Sequence, residues 1–370
     1  MKKIITNQPR RGLSIIEVLT AMVVAMIGVF GVMALIPFAV KQAKVGMDSD
    51  AAVQLARNAY SDFEIRGYRN PENWWIPAGT PLLNNASGAY DPSTDGPQTF
   101  AIDPLSVIEN GPGIFPLNPV TAGSLPQNLR FPVLNLAMLQ NSGQSGFVKT
   151  GMTRGVAQKI FRSADDLVFG AGVDELDPPL QIFDRSGAGD ALIRQSKGRI
   201  SWSAIVVPYI NQSVTTNSAE WSYKLYILVY KVRKTRADDE DGKMAITQLS
   251  SANSGFQSPL TNVVIDQSVL VPDGSLKRDD WVMLINQDPN ANANTPAAFN
   301  KQIAFCRIVN LIANSEELPA PVDTLLTLDG PDFNFGTPPT ETYIIHLKDV
   351  IGVYEHTFTP ETESNWTVNF

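Results

Sequence analysis

The stretch RRGLSIIEVLTAMVVAMIGVFGVMALIPF, Arg10–Phe38, decides how this chain is read. From Val18 to Val40 there is no charged residue, and only Thr20, Gly28, Gly31 and Pro37 interrupt the apolar run. At about 1.5 Å per residue such a helix reaches roughly 34 Å, enough to cross a hydrocarbon core of about 30 Å. A buried core helix and a cleaved secretory signal are the alternatives. The apolar region of a secretory signal is normally about 7–15 residues, shorter than this one. Lys2, Lys3, Arg10 and Arg11 precede the run with no acid before Glu17. Cations on that side favour a membrane span with its N-terminus in the cytoplasm.

Glu17 needs a reason, because a carboxylate inside a membrane costs about 2.5–3.5 kcal/mol on insertion scales. It could be a boundary residue that reaches the headgroups. Cleavage after Gly12 would give it more to do. Leu13 would then carry a free ammonium, and Glu17 stands four residues on, one helical turn away on the same face. The carboxylate could pair with its own terminus or with that of a neighbouring helix. In a low-dielectric setting an unpaired charge also penalises misregistered packing.

These residues resemble the class III signal of type IV prepilins and type II secretion pseudopilins. That signal is a basic leader, a Gly before the cut, an apolar new N-terminus and a Glu four residues further on. Here it falls on Arg10-Arg11, Gly12, Leu13 and Glu17. The family more often carries Phe or Met where Leu13 stands. The run SIIEVLTAMVVAMIGVFGV looks closest to PilV-type minor pilins, and the likeness covers about the first 55 residues after the leader. It implies a membrane prepilin peptidase as partner, which cuts after Gly12 and N-methylates Leu13. The S-adenosylmethionine for that step belongs to the peptidase, so no cofactor is implied for this chain. Other pilin or pseudopilin subunits and an inner-membrane assembly platform are the further partners implied. Losing the leader would leave 25 cations against the 37 acids.

Past Pro37 the helix turns amphipathic. Val45, Ala52, Leu55, Ala59 and Phe63 form one stripe, and Gly67 is a C-terminal stop. One helix is therefore expected from Leu13 to Arg66, its first half in the membrane and its second packed on one side. Pro37 removes a backbone donor and should bend or loosen it. Gly28 and Gly31 allow close helix packing.

The expected fold class is α+β: a long pilin-like helix and then a large, mostly antiparallel β-rich head. The expected divisions are a leader at 1–12, a helix at 13–67 (transmembrane to 40, amphipathic from 41), a loop-rich insertion at 68–198 and the head at 199–370. The insertion is rich in Pro, Gly, Asn and Ser, and reads as loops and short strands with one helix near Thr153–Ser163. Trp74 and Trp75 should pin a loop to its own domain. Strands are expected at Ile200–Tyr209, Tyr223–Val232, Ser268–Val271, Trp281–Asn286, Ile303–Ala313, Thr324–Leu328 and Thr342–Tyr354. Tyr223–Val232, apolar on both faces, reads as a central strand. The set after Ser268 could close into a small barrel.

The formal charge of −8 argues against a broad basic surface for nucleic acid. One cysteine, Cys306, rules out an intramolecular disulfide and a thiolate cluster. No nucleophile elbow, zinc-protease, Walker or C-x-x-C motif occurs, so no enzyme is expected. His346 reads as a surface or edge histidine, and Cys306 as a small buried apolar residue. The acids Asp238 to Asp241 could hold calcium, but they lack the EF-hand spacing and suit a turn equally well. The leading expectation is a non-enzymatic minor or tip subunit of a type IV pilus or secretion pseudopilus. It would cross the inner membrane once, N-terminus cytoplasmic and head periplasmic, with Glu17 setting its register. A membrane-anchored adhesin using the signal for sorting, and an envelope hydrolase on an anchor, are the alternatives.

Overall fold

The computed structural model describes residues 14–78, 88–89, 98–111, 113–116, 125–126, 129–141, 147–162, 183–184, 193–194, 200–209, 222–231, 233, 246–248, 260–266, 276–287, 301–313, 323–335 and 342–361. Two compact units divide between Ala51 and Ala52, inside a single helix, α1, which runs Ile15–Ile65. Pro37 lies within α1, and the helix continues on both sides of it.

The end of α1 follows from Gly67. Its φ of 69° is left-handed, a conformation open to glycine at little cost. The Tyr68 N–H then donates to the Phe63 carbonyl at 2.9 Å, and the Gly67 N–H to the Glu64 carbonyl at 3.1 Å. The Phe63 and Tyr68 rings meet edge-on at 6.2 Å. This is a Schellman cap with its apolar contact, which satisfies carbonyls the last turn would leave orphaned.

The strands of Ala52–Phe370 are β1 (Trp74–Ile76), β2 (Gly88–Ala89), β3 (Phe100–Ile102), β4 (Gly113–Phe115), β5 (Phe131–Asn141) and β6 (Phe147–Gly151). Then come β7 (Phe183–Asp184), β8 (Ile193–Arg194), β9 (Ile200–Tyr209), β10 (Ser222–Lys231), β11 (Ile246–Gln248) and β12 (Leu260–Asp266). Last are β13 (Trp281–Gln287), β14 (Lys301–Ala313), β15 (Asp323–Asp329), β16 (Tyr343–Leu347) and β17 (Val350–Phe358). The first large sheet has the order β17-β10-β9-β3-β5-β1-β2, with β4 and β6 also on β5. The second has the order β11-β16-β13-β14-β15-β12, and β7 pairs with β8 alone. Within these sheets β3 and β5 are the parallel pair, and the remaining pairings are antiparallel. The α+β reading, a long apolar helix followed by a mostly antiparallel head, therefore holds.

Alternation along β10 shows how the layers stack. Leu225, Ile227 and Val229 point into a core with Ala52, Ala59 and Phe63 of α1. Tyr226, Leu228 and Tyr230 point the other way, into a second core with Met283, Phe305 and Ile345. The first sheet thus lies between the helix and the second sheet, which is why β10 is apolar on both faces. Residues of opposite parity in the second sheet, among them Val282, Leu284, Cys306 and Leu326, form a third core with Phe333 and Phe335. Its edge strands β11 and β12 come within about 8 Å of each other, as in a sheet curling toward a small barrel.

Several local expectations need adjusting. The buried stripe of α1 is Ala52, Leu55, Ala56, Ala59 and Phe63, whereas Val45 is exposed. The short helix spans Arg154–Phe161, held by the Trp202 Nε1–H bond to the Ile160 carbonyl at 2.8 Å. The segment expected at Thr342–Tyr354 as one strand is two. Asp349, at φ 63°, turns the chain between β16 in the second sheet and β17 in the first. Its apolar alternation reads as unbroken because Asp tolerates that left-handed conformation without a glycine to mark it. The loop-rich stretch reads as loops and short strands, but its β5 is a long strand of 11 residues that sits with β3 inside the first sheet, and β11 and β12 match no strand read from the sequence. The segment Ser268–Val271 lies outside the described residues.

Candidate functional site

The feature that sets this chain apart is the surface of α1 from Ile15 onward. Every residue from 14 to 47 is exposed, including Phe30 at 67 % and Ile27 at 66 %. One stretch of this helix is long and apolar enough to cross a membrane. Folded chains do not leave this much contiguous apolar surface in water, so the helix is built for an apolar surrounding.

At its start the Ser14 carbonyl accepts the N–H groups of Glu17 at 3.0 Å and Val18 at 3.2 Å. The Thr20 hydroxyl donates to the Ile16 carbonyl at 2.8 Å, which satisfies that polar group inside the apolar run. Glu17 stands exposed in the first turn, where the helix dipole favours an acid. Gly12 and Leu13 lie outside the described residues. At Gly28 and Gly31 an added Cβ would meet nothing within 4 Å. Among the described residues, therefore, no contact requires glycine there, although each costs about 1 kcal/mol of helix propensity relative to alanine.

In the head, the polar groups that stand out are committed to packing. Asp103 caps the short helix Pro104–Asn110 through the Ser106 N–H at 3.2 Å. The same carboxylate takes both terminal nitrogens of Arg233, one at 3.1 Å, and that guanidinium lies 4.3 Å from the Tyr230 ring centroid. His346 is buried rather than at a surface or edge. β16 is flanked by β11 and β13, and His346 Nε2 meets Asp280 Oδ2 at 3.2 Å. The polar Asp280 partner in the turn before β13 is what makes that burial tolerable, and sequence spacing does not bring the two together. His356 stacks on Tyr60 of α1 with centroids 3.9 Å apart.

Cys306 is buried and its thiol is pushed up to about 12 by burial, with the Asp329 charge adding to it. It behaves as the small apolar residue expected. Trp74 is fully buried, its Nε1–H donating to the Tyr68 carbonyl at 2.8 Å, so it pins the chain after α1 as anticipated. Among the described residues no group of three His, Cys, Asp or Glu side chains could hold a metal ion. Asp238 to Asp241 lie outside the described residues.

No family model matches this chain, and no curated protein or solved structure matches it either.

Proposed function

We propose that this chain is a non-enzymatic, pilin-like subunit of a type IV pilus or type II secretion filament. The observation that carries the reading is the continuous α1, wholly exposed and apolar at its start and committed to the head's core at its end. A filament subunit needs that division of labour: one part of the helix waits in the membrane for other helices, and the other holds a folded domain. In this reading prepilin peptidase cuts after Gly12 and methylates Leu13, leaving the new ammonium one turn from Glu17. The mature subunit sits in the inner membrane with its head on the periplasmic side. It joins other subunits at the assembly platform through its N-terminal helix, and Glu17 pairs with a subunit terminus. That no contact among the described residues requires glycine at Gly28 and Gly31 supports close approach by a neighbouring helix there. The size of the head favours a minor or terminal position, since bulky heads hinder close helical stacking.

Mass spectrometry of the mature protein, made together with a prepilin peptidase, tests the reading directly. The expected N-terminus is methyl-Leu13; an intact Met1 would remove its basis. Glu17→Ala should leave insertion and cleavage in place and reduce incorporation into filaments at least tenfold, as read by shearing and immunoblotting. Normal assembly of that variant would rule out the role given to Glu17.

A further inference from the structure

The exposed apolar surface of α1 does not stop at Val40. Lys41 and Lys44 are exposed, and so are Val45 at 52 % and Met47 at 71 %. In Ala52–Phe370, by contrast, the large apolar side chains left exposed among the described residues are three scattered ones, Ile65, Tyr209 and Ile312. Lys41 and Lys44 are three residues apart, on one side of the helix, and are the first charges after the apolar run. From Lys41 to Met47 the helix rises about 9 Å, enough to cross one headgroup layer of roughly 5–8 Å. Cations mixed with exposed apolar side chains over that depth are what a helix presents as it leaves a bilayer through its headgroups. The methylene stems lie along the acyl boundary while the ammonium groups reach phosphate. The first acids, Asp48 and Asp50, come only beyond this layer.

The geometry points to Lys41 and Lys44 as a docking site for anionic phospholipid headgroups in the leaflet on the head side of α1. The inference rests on the membrane-spanning reading and adds a partner to it. Asp48 lies one turn beyond Lys44 and offers it an intrahelical partner, so Lys41 carries the larger share. The site has a consequence for maturation. With the leader present, Lys2, Lys3, Arg10 and Arg11 face the other leaflet; once it is removed, the Leu13 ammonium is matched by Glu17, and Lys41 and Lys44 are the side-chain cations nearest the membrane. Lipid charge then holds the mature helix chiefly from the head side.

The test uses the full chain, extracted from membranes in detergent and analysed by native mass spectrometry with phosphatidylglycerol or phosphatidylcholine added. The unmodified chain is expected to retain phosphatidylglycerol in preference. Lys41→Gln/Lys44→Gln should lower that preference, by about fivefold for Lys41→Gln alone and by less for Lys44→Gln alone. Lys41→Arg/Lys44→Arg should keep it. Equal retention of the two lipids by the unmodified chain, or a preference undiminished in the double glutamine variant, overturns the inference. Alkaline carbonate extraction separates the two levels. Release of the full chain would overturn the spanning reading together with this one. A carbonate-resistant chain without lipid preference overturns this inference alone.

Discussion

Lys301 illustrates what single residues reveal only in the folded state. Its Nζ donates to the Arg130 carbonyl at 2.7 Å and lies 5.9 Å from the Phe131 ring centroid. Burial pushes its pKa down from the usual lysine value to about 8. Below about pH 8 the amine is protonated in both folded and unfolded chains, and the cost of burying the charge is carried in full. As pH rises from about 8 toward 10.5 the folded chain releases its proton first, so the cost disappears and stability rises. Lys301→Met should therefore be more stable than the parent at pH 7, with the difference shrinking by pH 10. Urea melts of both chains across that range would check it, and a constant difference would refute the burial argument. In the sequence, Lys301 is simply a polar residue just ahead of a strand. What lies around it is set by Arg130 and Phe131, far away in the chain. His346 is the same case: it reads as a surface or edge histidine, and its burial depends on an Asp280 partner from another segment.

At the scale of elements, α1 was the most legible part of the chain. Its apolar run, its amphipathic continuation and its glycine stop are all local, and local patterns survive in the sequence. Gly67 is the sharpest example, and it supports a prediction. Gly67→Ala forces a side chain into a left-handed conformation, at about 1–2 kcal/mol. The added Cβ would meet Asn73 Nδ2 at 3.5 Å, an ordinary contact, so the cost is conformational rather than steric. A thermal melt of the head should show a loss of that order, and an unchanged midpoint would contradict the capping account. The strands were less legible where their boundaries depended on which sheet they joined. β9 and β15 read closely from alternation and flanking turn residues. The β16–β17 turn did not, because what ends the strand at Leu347 is the handover from one sheet to the other.

For the whole molecule, the division between Ala51 and Ala52 predicts where the chain can be cut. The buried helical residues Ala52, Leu55, Ala56, Ala59 and Phe63 all belong to the head's core. Removing residues 1–46 should give a soluble, cooperatively folding head. Removing residues 1–66 should expose the helix-covered face of the first sheet, and that product should aggregate. Burying side chains such as Leu55 and Phe63 is worth about 1.5–3 kcal/mol each, so their joint loss removes much of the roughly 5–15 kcal/mol that holds a domain folded. Size-exclusion chromatography and thermal melts of the two fragments would decide. A monomeric, cooperatively melting shorter fragment would show that the helix is dispensable to the head.

The membrane-length helix, its polar breaks and its stop were determined by the sequence alone, because each depends on neighbours within a turn or two. The alternation of β9 and β10 also lay in the sequence, including the hint that β10 is covered on both sides. Only the tertiary structure decided that this cover is α1 on one face and a second sheet on the other. It alone placed β3 and β5 inside the first sheet and paired Arg233 with Asp103. The reason is that such pairings join residues far apart along the chain, and their cost in chain entropy is offset only when many form together. The exposed apolar face of α1 lies between these cases. Its pattern was visible in the sequence, and among the described residues it stays exposed.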